Sequence, residues 1–223
     1  MELRTYPDRE MMFMEVANRL ASELGSCLRT HEHASFCVPG GTTPGPIFDV
    51  LSDVQLDWPR VHVFLNDERW VPETSDRSNT RLLRQRLLTG RAAAATLVPM
   101  VADAPDPEGS LEGLAEGLAP ELPISVLLLG MGTDMHTASL FPGADRLTDA
   151  LAADAPPLMA MRAPGAPEPR VTLTAPVLDG AMSKHVVITG PEKREAVERA
   201  RGLSREEAPI TAVWNGAVVH WAE

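Results

Sequence analysis

Apolar positions recur along this chain in two rhythms. Met11, Met12, Val16, Leu20, Leu24 and Leu28 return at helical spacing, so residues 8–29 are expected to form a helix, capped by Asp8 after Pro7. The second rhythm is the short unbroken run that reads as a buried strand: Ala34–Val38, Val61–Leu65 and Ile124–Leu129. Further strands are expected at Leu97–Val101, Leu158–Met161, Val171–Thr174 and His185–Thr189. Further helices are expected at Pro44–Leu51, with Thr43 as N-cap before the proline, at Ser78–Leu88, at 107–119 despite its glycines, at Ala175–Met182 and at Glu192–Arg201. Ile210–Trp214, Asn215-Gly216 and Ala217–Trp221 read as a hairpin, because Asn-Gly suits a type I′ turn.

Short apolar strands alternating with helices argue an α/β fold, Rossmann-like, with a mostly parallel sheet flanked by helices. There is no internal repeat and no long linker. Residues 1–223 are expected to be one domain, with a small excursion at 143–169, a stretch rich in Ala, Pro, Gly and Asp.

The formal net charge of −11 narrows the partners. A field of that sign repels nucleic acid and anionic membranes, and aromatics, at 4% of the chain, are too few for base-stacking platforms. Any anion site must be local, built from converging Arg, Lys and backbone N–H groups. The two cysteines, Cys27 and Cys37, fall in different expected elements and read as reduced thiols. Cys and His show no metal-ligand spacing, and His31 and His33 are expected at the surface. The start, MELRTYPDRE, is not a signal sequence, and no apolar run reaches membrane-span length. The expected setting is cytoplasmic, with a small-molecule partner and a monomer or weak homo-oligomer.

Three polar clusters directly follow expected strands, and ligands of open parallel sheets bind beyond the carboxyl ends of strands. In PGGTTP (39–44), Gly40 and Gly41 allow close backbone approach, Thr42 and Thr43 offer hydroxyls, and the following helix start favours an anion. No Gly-Lys-Ser/Thr follows, so it is not a Walker loop. In NDERWVP (66–72), Arg69 is a planar fork for phosphate and Asp67 can orient a base or a hydroxyl, although such charge runs are commonly solvated. In GMGTDMHTAS (130–139), His136 sits where a strand has ended, with Asp134 two residues before it. A neutral imidazole there can take a proton from water, and Asp134 can stabilise the imidazolium if the loop folds its carboxylate back. Arg170, before VTLT, and Lys193, after ITGPE, fit the same set, although each taken alone reads more readily as a solvent charge.

GMGTDMHTASLFPG (130–143) closely resembles the GMGxDGHTASLFPG signature of 6-phosphogluconolactonases. NDERWVPETSDRSNTRLL, PGGTTP, RVTLTAPVL and ITGPEKREAV resemble other segments of that family, in family order from about residue 37 to 200. The resemblance implies the fold shared with glucosamine-6-phosphate deaminase and ribose-5-phosphate isomerase. It implies hydrolysis of 6-phospho-D-glucono-1,5-lactone to 6-phosphogluconate in the oxidative pentose phosphate pathway, without cofactor or metal. By this likeness His136 is the catalytic base, with Asp67 and Asp134 in the polar site around it. Gly40, Gly41, Thr42, Arg69, Arg170 and Lys193 become phosphate or sugar contacts. One departure stands out: the family usually has glycine where this chain has Met135. If that position needs a positive φ, methionine costs on the order of 1 kcal/mol or more.

Ser139 is disfavoured as a nucleophile because no G-x-S-x-G elbow surrounds it. Two other functions share the expected pocket. A glucosamine-6-phosphate deaminase would carry an HIAFNEP-type run after the histidine, where this chain has HTASLFPG. A non-catalytic sugar-phosphate sensor would usually bring a DNA-binding segment, and none is visible.

Overall fold

The computed structural model describes residues 1–223. In chain order the elements are β1 (Glu2–Thr5), α1 (Arg9–Leu28), β2 (Ala34–Val38), α2 (Gly45–Ser52), β3 (Val61–Leu65), β4 (Asp67–Arg69), α3 (Asn79–Arg86), β5 (Thr96–Leu97), α4 (Leu111–Leu118), β6 (Val126–Gly130), α5 (Leu147–Leu151), β7 (Leu158–Met161), β8 (Arg170–Leu173), α6 (Ala175–Asp179), β9 (Ser183–Thr189), α7 (Pro191–Ala200) and β10 (Val218–Ala222). Seven strands form one sheet in the order β1-β10-β9-β6-β2-β3-β5, and every neighbouring pair is parallel. The α/β class with a parallel sheet flanked by helices is therefore as expected. No helix is long and apolar enough to cross a membrane.

The central strands are the apolar runs. Every residue of β2 is buried, as are Val126–Leu129 of β6. Helix α1 starts where expected, Asp8 accepting a 2.8 Å hydrogen bond from the Met11 N–H. Its inner face is Met12, Val16, Ala17, Leu20, Leu24 and Leu28. Met11, grouped with that face by spacing, points outward at 51% exposure.

A second, antiparallel sheet in the order β4-β8-β7 stands beside the first. It contains the expected strand Leu158–Met161 from the 143–169 excursion. It also contains β4, three residues within the charged NDER run, which pairs Arg69 with Arg170 in register. This small sheet carries an arginine from a distant part of the chain to the edge of the large one.

Three expectations need correction, and one strand was not foreseen. The proposed hairpin is absent: Pro209–Val213 is a 3₁₀ helix and β10 lies parallel between β1 and β9. Pro209 opens that helical turn, and β10 pairs on both sides in the sheet, so tertiary pairing overrides the local Asn-Gly signal. The polar edge strand β1 was invisible to an apolar pattern, since only Leu3 is even partly buried. Thr43 does not cap α2; Pro44 is the N-cap residue and no side chain bonds there. His33 is not a free surface residue: it is half-buried and stacked on His62, with ring centroids 4.4 Å apart. Cys27 and Cys37 are free thiols.

Candidate active site

Strands β3, β2, β6 and β9 are consecutive neighbours in the large sheet, and their carboxyl ends release the segments holding the candidate residues. A cleft of about 290 Å³ opens there. Its lining includes Gly40, Gly41, Thr42, Asp67, Arg69, His136, Arg170 and Lys193. Eight of the nine candidates thus face one space. The ninth, Asp134, stands behind His136, its Oδ1 lying 2.6 Å from Nδ1 of the ring and 3.2 Å from the His136 N–H.

That contact sets the proton inventory of the imidazole. An ionised carboxylate only accepts, so Nδ1 carries the hydrogen, and in a neutral ring the lone pair falls on Nε2. The hydrogen bond to His136 holds the Asp134 carboxyl below its ordinary range, against the opposing effect of burial. The loop around them is stitched at both ends: Gly132 N–H donates to His136 C=O at 3.0 Å, Met135 N–H to Gly132 C=O at 2.9 Å, and Ile210 N–H to Met135 C=O at 3.1 Å. Met135 has φ 68° and Ala138 φ 48°, both in the left-handed region.

Phe141 lies between the His136 imidazole and a cation. Its ring stacks on His136 with centroids 4.2 Å apart, and the Arg170 guanidinium carbon sits 5.2 Å from its centroid. The stacking of Phe141 on the histidine is not legible from spacing. Asp67 is buried, accepts a 2.5 Å hydrogen bond from the Ser139 hydroxyl and lies 3.6 Å from Arg170. Ser139 is fully buried and committed to that carboxylate.

Arg69 and Arg170 are held with capacity to spare. Arg69 donates from Nη1 to the Arg77 carbonyl at 2.5 Å. The Nε atoms of Arg69 and Arg170 are both buried without a partner. A buried, unpaired guanidinium N–H is costly, and an anionic ligand would satisfy it. Burial lowers the pKa of Arg170 and of Lys193. The N–H groups of Gly41, Thr42 and Thr43 donate no hydrogen bond within the chain. Despite the overall charge of −11, this cleft brings three cations and a row of free amides against one lining carboxylate.

Glu68, within the same charged run, is the organiser that spacing did not reveal. Fully buried, its carboxylate accepts from Arg69 N–H (2.7 Å), Ser78 Oγ (3.1 Å), Asn79 N–H (2.9 Å), Thr80 N–H (2.7 Å) and Thr80 Oγ1 (2.9 Å). It thereby locks the start of α3 to β4 and the backbone of Arg69 in place. Asn79, fixed by this contact, lines the cleft and occupies the space a side chain at Gly40 would need: a β-carbon there would fall 2.0 Å from Asn79 Oδ1.

Known proteins resemble this chain over nearly its whole length. Residues 7–221 match the family described as glucosamine-6-phosphate isomerases/6-phosphogluconolactonase. A 6-phosphogluconolactonase of Rhizobium meliloti (strain 1021) is 40% identical over 215 residues, covering 93% of this chain and 92% of the relative. One from Caulobacter vibrioides is 33% identical over 224 residues, covering 96% and 97%. The crystal structure of a 6-phosphogluconolactonase from Shewanella baltica OS155 superposes with a TM-score of 0.95 at 31% identity, covering 100% of this chain and 97% of that one.

Proposed function

The chain belongs to the glucosamine-6-phosphate isomerase/6-phosphogluconolactonase family, and from that premise we propose that it hydrolyses 6-phospho-D-glucono-1,5-lactone to 6-phosphogluconate. The observation that carries the reading is the pairing of an Asp134-oriented imidazole with a cluster of unpartnered cationic and amide donors in one cleft. Relatives of high coverage carry the same name.

In the proposed mechanism the Gly40–Thr42 loop, Arg69, Arg170 and Lys193 hold the phosphate and sugar. This fixes the lactone carbonyl near His136, which converts binding into orientation. His136 Nε2 removes a proton from water as the water oxygen attacks the carbonyl carbon. Asp134 stabilises the imidazolium that forms. The tetrahedral oxyanion is met by the positive cleft. When it collapses, the bond to the ring oxygen breaks, and the imidazolium proton passes to that leaving oxygen. The base is restored and the acid is released. Asp67 orients Arg170 and the polar wall opposite. A δ-lactone is already reactive towards water, so a general base contributing on the order of 10²–10⁴-fold suffices without a covalent nucleophile.

The test is hydrolysis of freshly prepared 6-phosphogluconolactone, with the spontaneous rate subtracted, beside glucono-1,5-lactone and glucosamine 6-phosphate. The expected result is rapid turnover of the phosphorylated lactone, weak turnover of the unphosphorylated one and no ammonia from the amino sugar. Ammonia release without lactone hydrolysis would assign the chain to the other activity in the family's name.

A further inference from the structure

We propose that His33, His62 and Glu121 form a binding site for a divalent transition-metal ion, with Zn²⁺ the best match, at the amino edge of the sheet. These residues come from three separate segments of the chain. His33 immediately precedes β2, His62 is the second residue of β3, and Glu121 ends a short 3₁₀ turn ahead of β6. Strands β6, β2 and β3 are adjacent, so the sheet register gathers the three side chains. One ligand atom from each lies within 4.8 Å of the others.

The His33–Glu121 separation is that which a metal imposes, and His62 meets Glu121 at hydrogen-bond distance, a contact that the ion would replace. Three ligands of a zinc tetrahedron, with bonds of about 2.0–2.2 Å, stand roughly 3.3–3.6 Å from one another. Here Nε2 of His33 is 3.3 Å from Oε2 of Glu121, and Nδ1 of His62 is 2.8 Å from Oε1. The rings of His33 and His62 are stacked 14° from parallel, so both present an edge to the same carboxylate. Glu121 is only 6% exposed, and its Oε2 is buried without a hydrogen-bond partner. A buried carboxylate oxygen left unsatisfied between two imidazoles is an unmet demand for a cation. The imidazoles remain about one-third and one-quarter exposed, leaving a path for the ion and room for water in the remaining coordination position.

Two imidazoles and one carboxylate suit Zn²⁺ rather than the oxygen-seeking Mg²⁺ or Ca²⁺. His62 lies five residues before Asp67, roughly 16 Å along an extended chain, so the ion would not meet the cleft at the opposite edge of the sheet. Its effect would be a brace across the entries to three neighbouring strands. An ion that binds only the folded chain raises its stability by mass action.

The test uses the full chain, stripped of metal with a chelator and desalted. Zn²⁺ is titrated calorimetrically, and Co²⁺ is followed by its visible d–d bands. One equivalent is expected to bind, with the intense bands of a tetrahedral site, and Zn²⁺ should raise the Tm without changing the rate at the cleft. His33→Ala, at a partly exposed position, should weaken binding by more than about 100-fold, with unaltered circular dichroism. His136→Ala should bind as wild type does. Absence of binding with metal in tenfold excess, binding undiminished in His33→Ala, or binding abolished by His136→Ala would each overturn the proposal.

Discussion

A β-carbon at Gly132 would stand 2.3 Å from Nδ1 of His136 and 2.4 Å from Oδ1 of Asp134. The glycine is thus the floor on which the imidazole and its carboxylate partner rest, and neither can keep its place beside a larger residue. Gly132→Ala is expected to preserve the fold and to lower kcat on the order of 10²-fold, the usual consequence of a misplaced catalytic group. Steady-state kinetics beside far-ultraviolet circular dichroism check this.

Met135, which stands where the signature this chain resembles has glycine, has φ 68° and is only 9% exposed. The left-handed backbone costs a non-glycine residue roughly 1–2 kcal/mol, whereas burying a methionine side chain returns about 1.5–3 kcal/mol. Burial therefore outweighs strain. Met135→Gly should leave kcat within about twofold and lower stability by about 1 kcal/mol, as read by urea denaturation. A gain in stability would show that strain is the larger effect.

Much of the site was legible because each glycine- or histidine-bearing cluster follows an apolar run, and a run that ends a buried strand must deliver its next residues to the carboxyl edge. PGGTTP after β2, Asn66-Asp67 after β3 and GMGTDMH after β6 all arrive there for that reason. What escaped depends on contacts between distant segments. Glu68 looked like one charge in a solvated run, yet five donors, four of them from residues 78–80, bury its carboxylate. The pairing of Arg69 with Arg170 needs the antiparallel β4–β8 register, which no local pattern encodes. The false hairpin at 210–221 failed for the opposite reason: a strong local turn signal lost to parallel pairing with β1 and β9.

Arg69 is the cleanest probe of the anion grip, since its Nε is buried and unpartnered. Arg69→Ala should raise KM for the phosphorylated lactone about 10–100-fold, the equivalent of one hydrogen bond between charged groups. Little change is expected in kcat. Turnover of the unphosphorylated lactone should be nearly the same in variant and wild type.

A buried chain of polar groups makes the fold sensitive to acid. Tyr6 Oη meets His220 Nδ1 at 2.7 Å, His220 Nε2 meets His185 Nδ1 at 3.0 Å, and His185 Nε2 meets Glu23 Oε2 at 2.8 Å. Burial, with the neighbouring His185 charge, pulls the His220 pKa down to about 3. The unfolded chain therefore binds a proton near pH 6.5 that the folded chain refuses, and stability falls as pH drops from about 6.5 towards 3. Glu23 adds to this at lower pH. Burial raises its pKa, but hydrogen bonds from His185 and Ser183 prevail and hold it at about 2. Its contribution is complete above its ordinary value of 4.5 and is lost as pH falls through about 2. Tm measured against pH should decline below about 6.5 and more steeply below about 4.5. His220→Gln should flatten the limb between those values, even with a lower Tm at neutral pH.

The most direct measurement of the central claim is the turnover of fresh 6-phosphogluconolactone by His136→Ala, with the spontaneous rate subtracted, side by side with wild type. A loss in kcat on the order of 10²–10⁴-fold with KM little changed is the result expected of a general base held 2.6 Å from Asp134. Full kcat in the variant would contradict it.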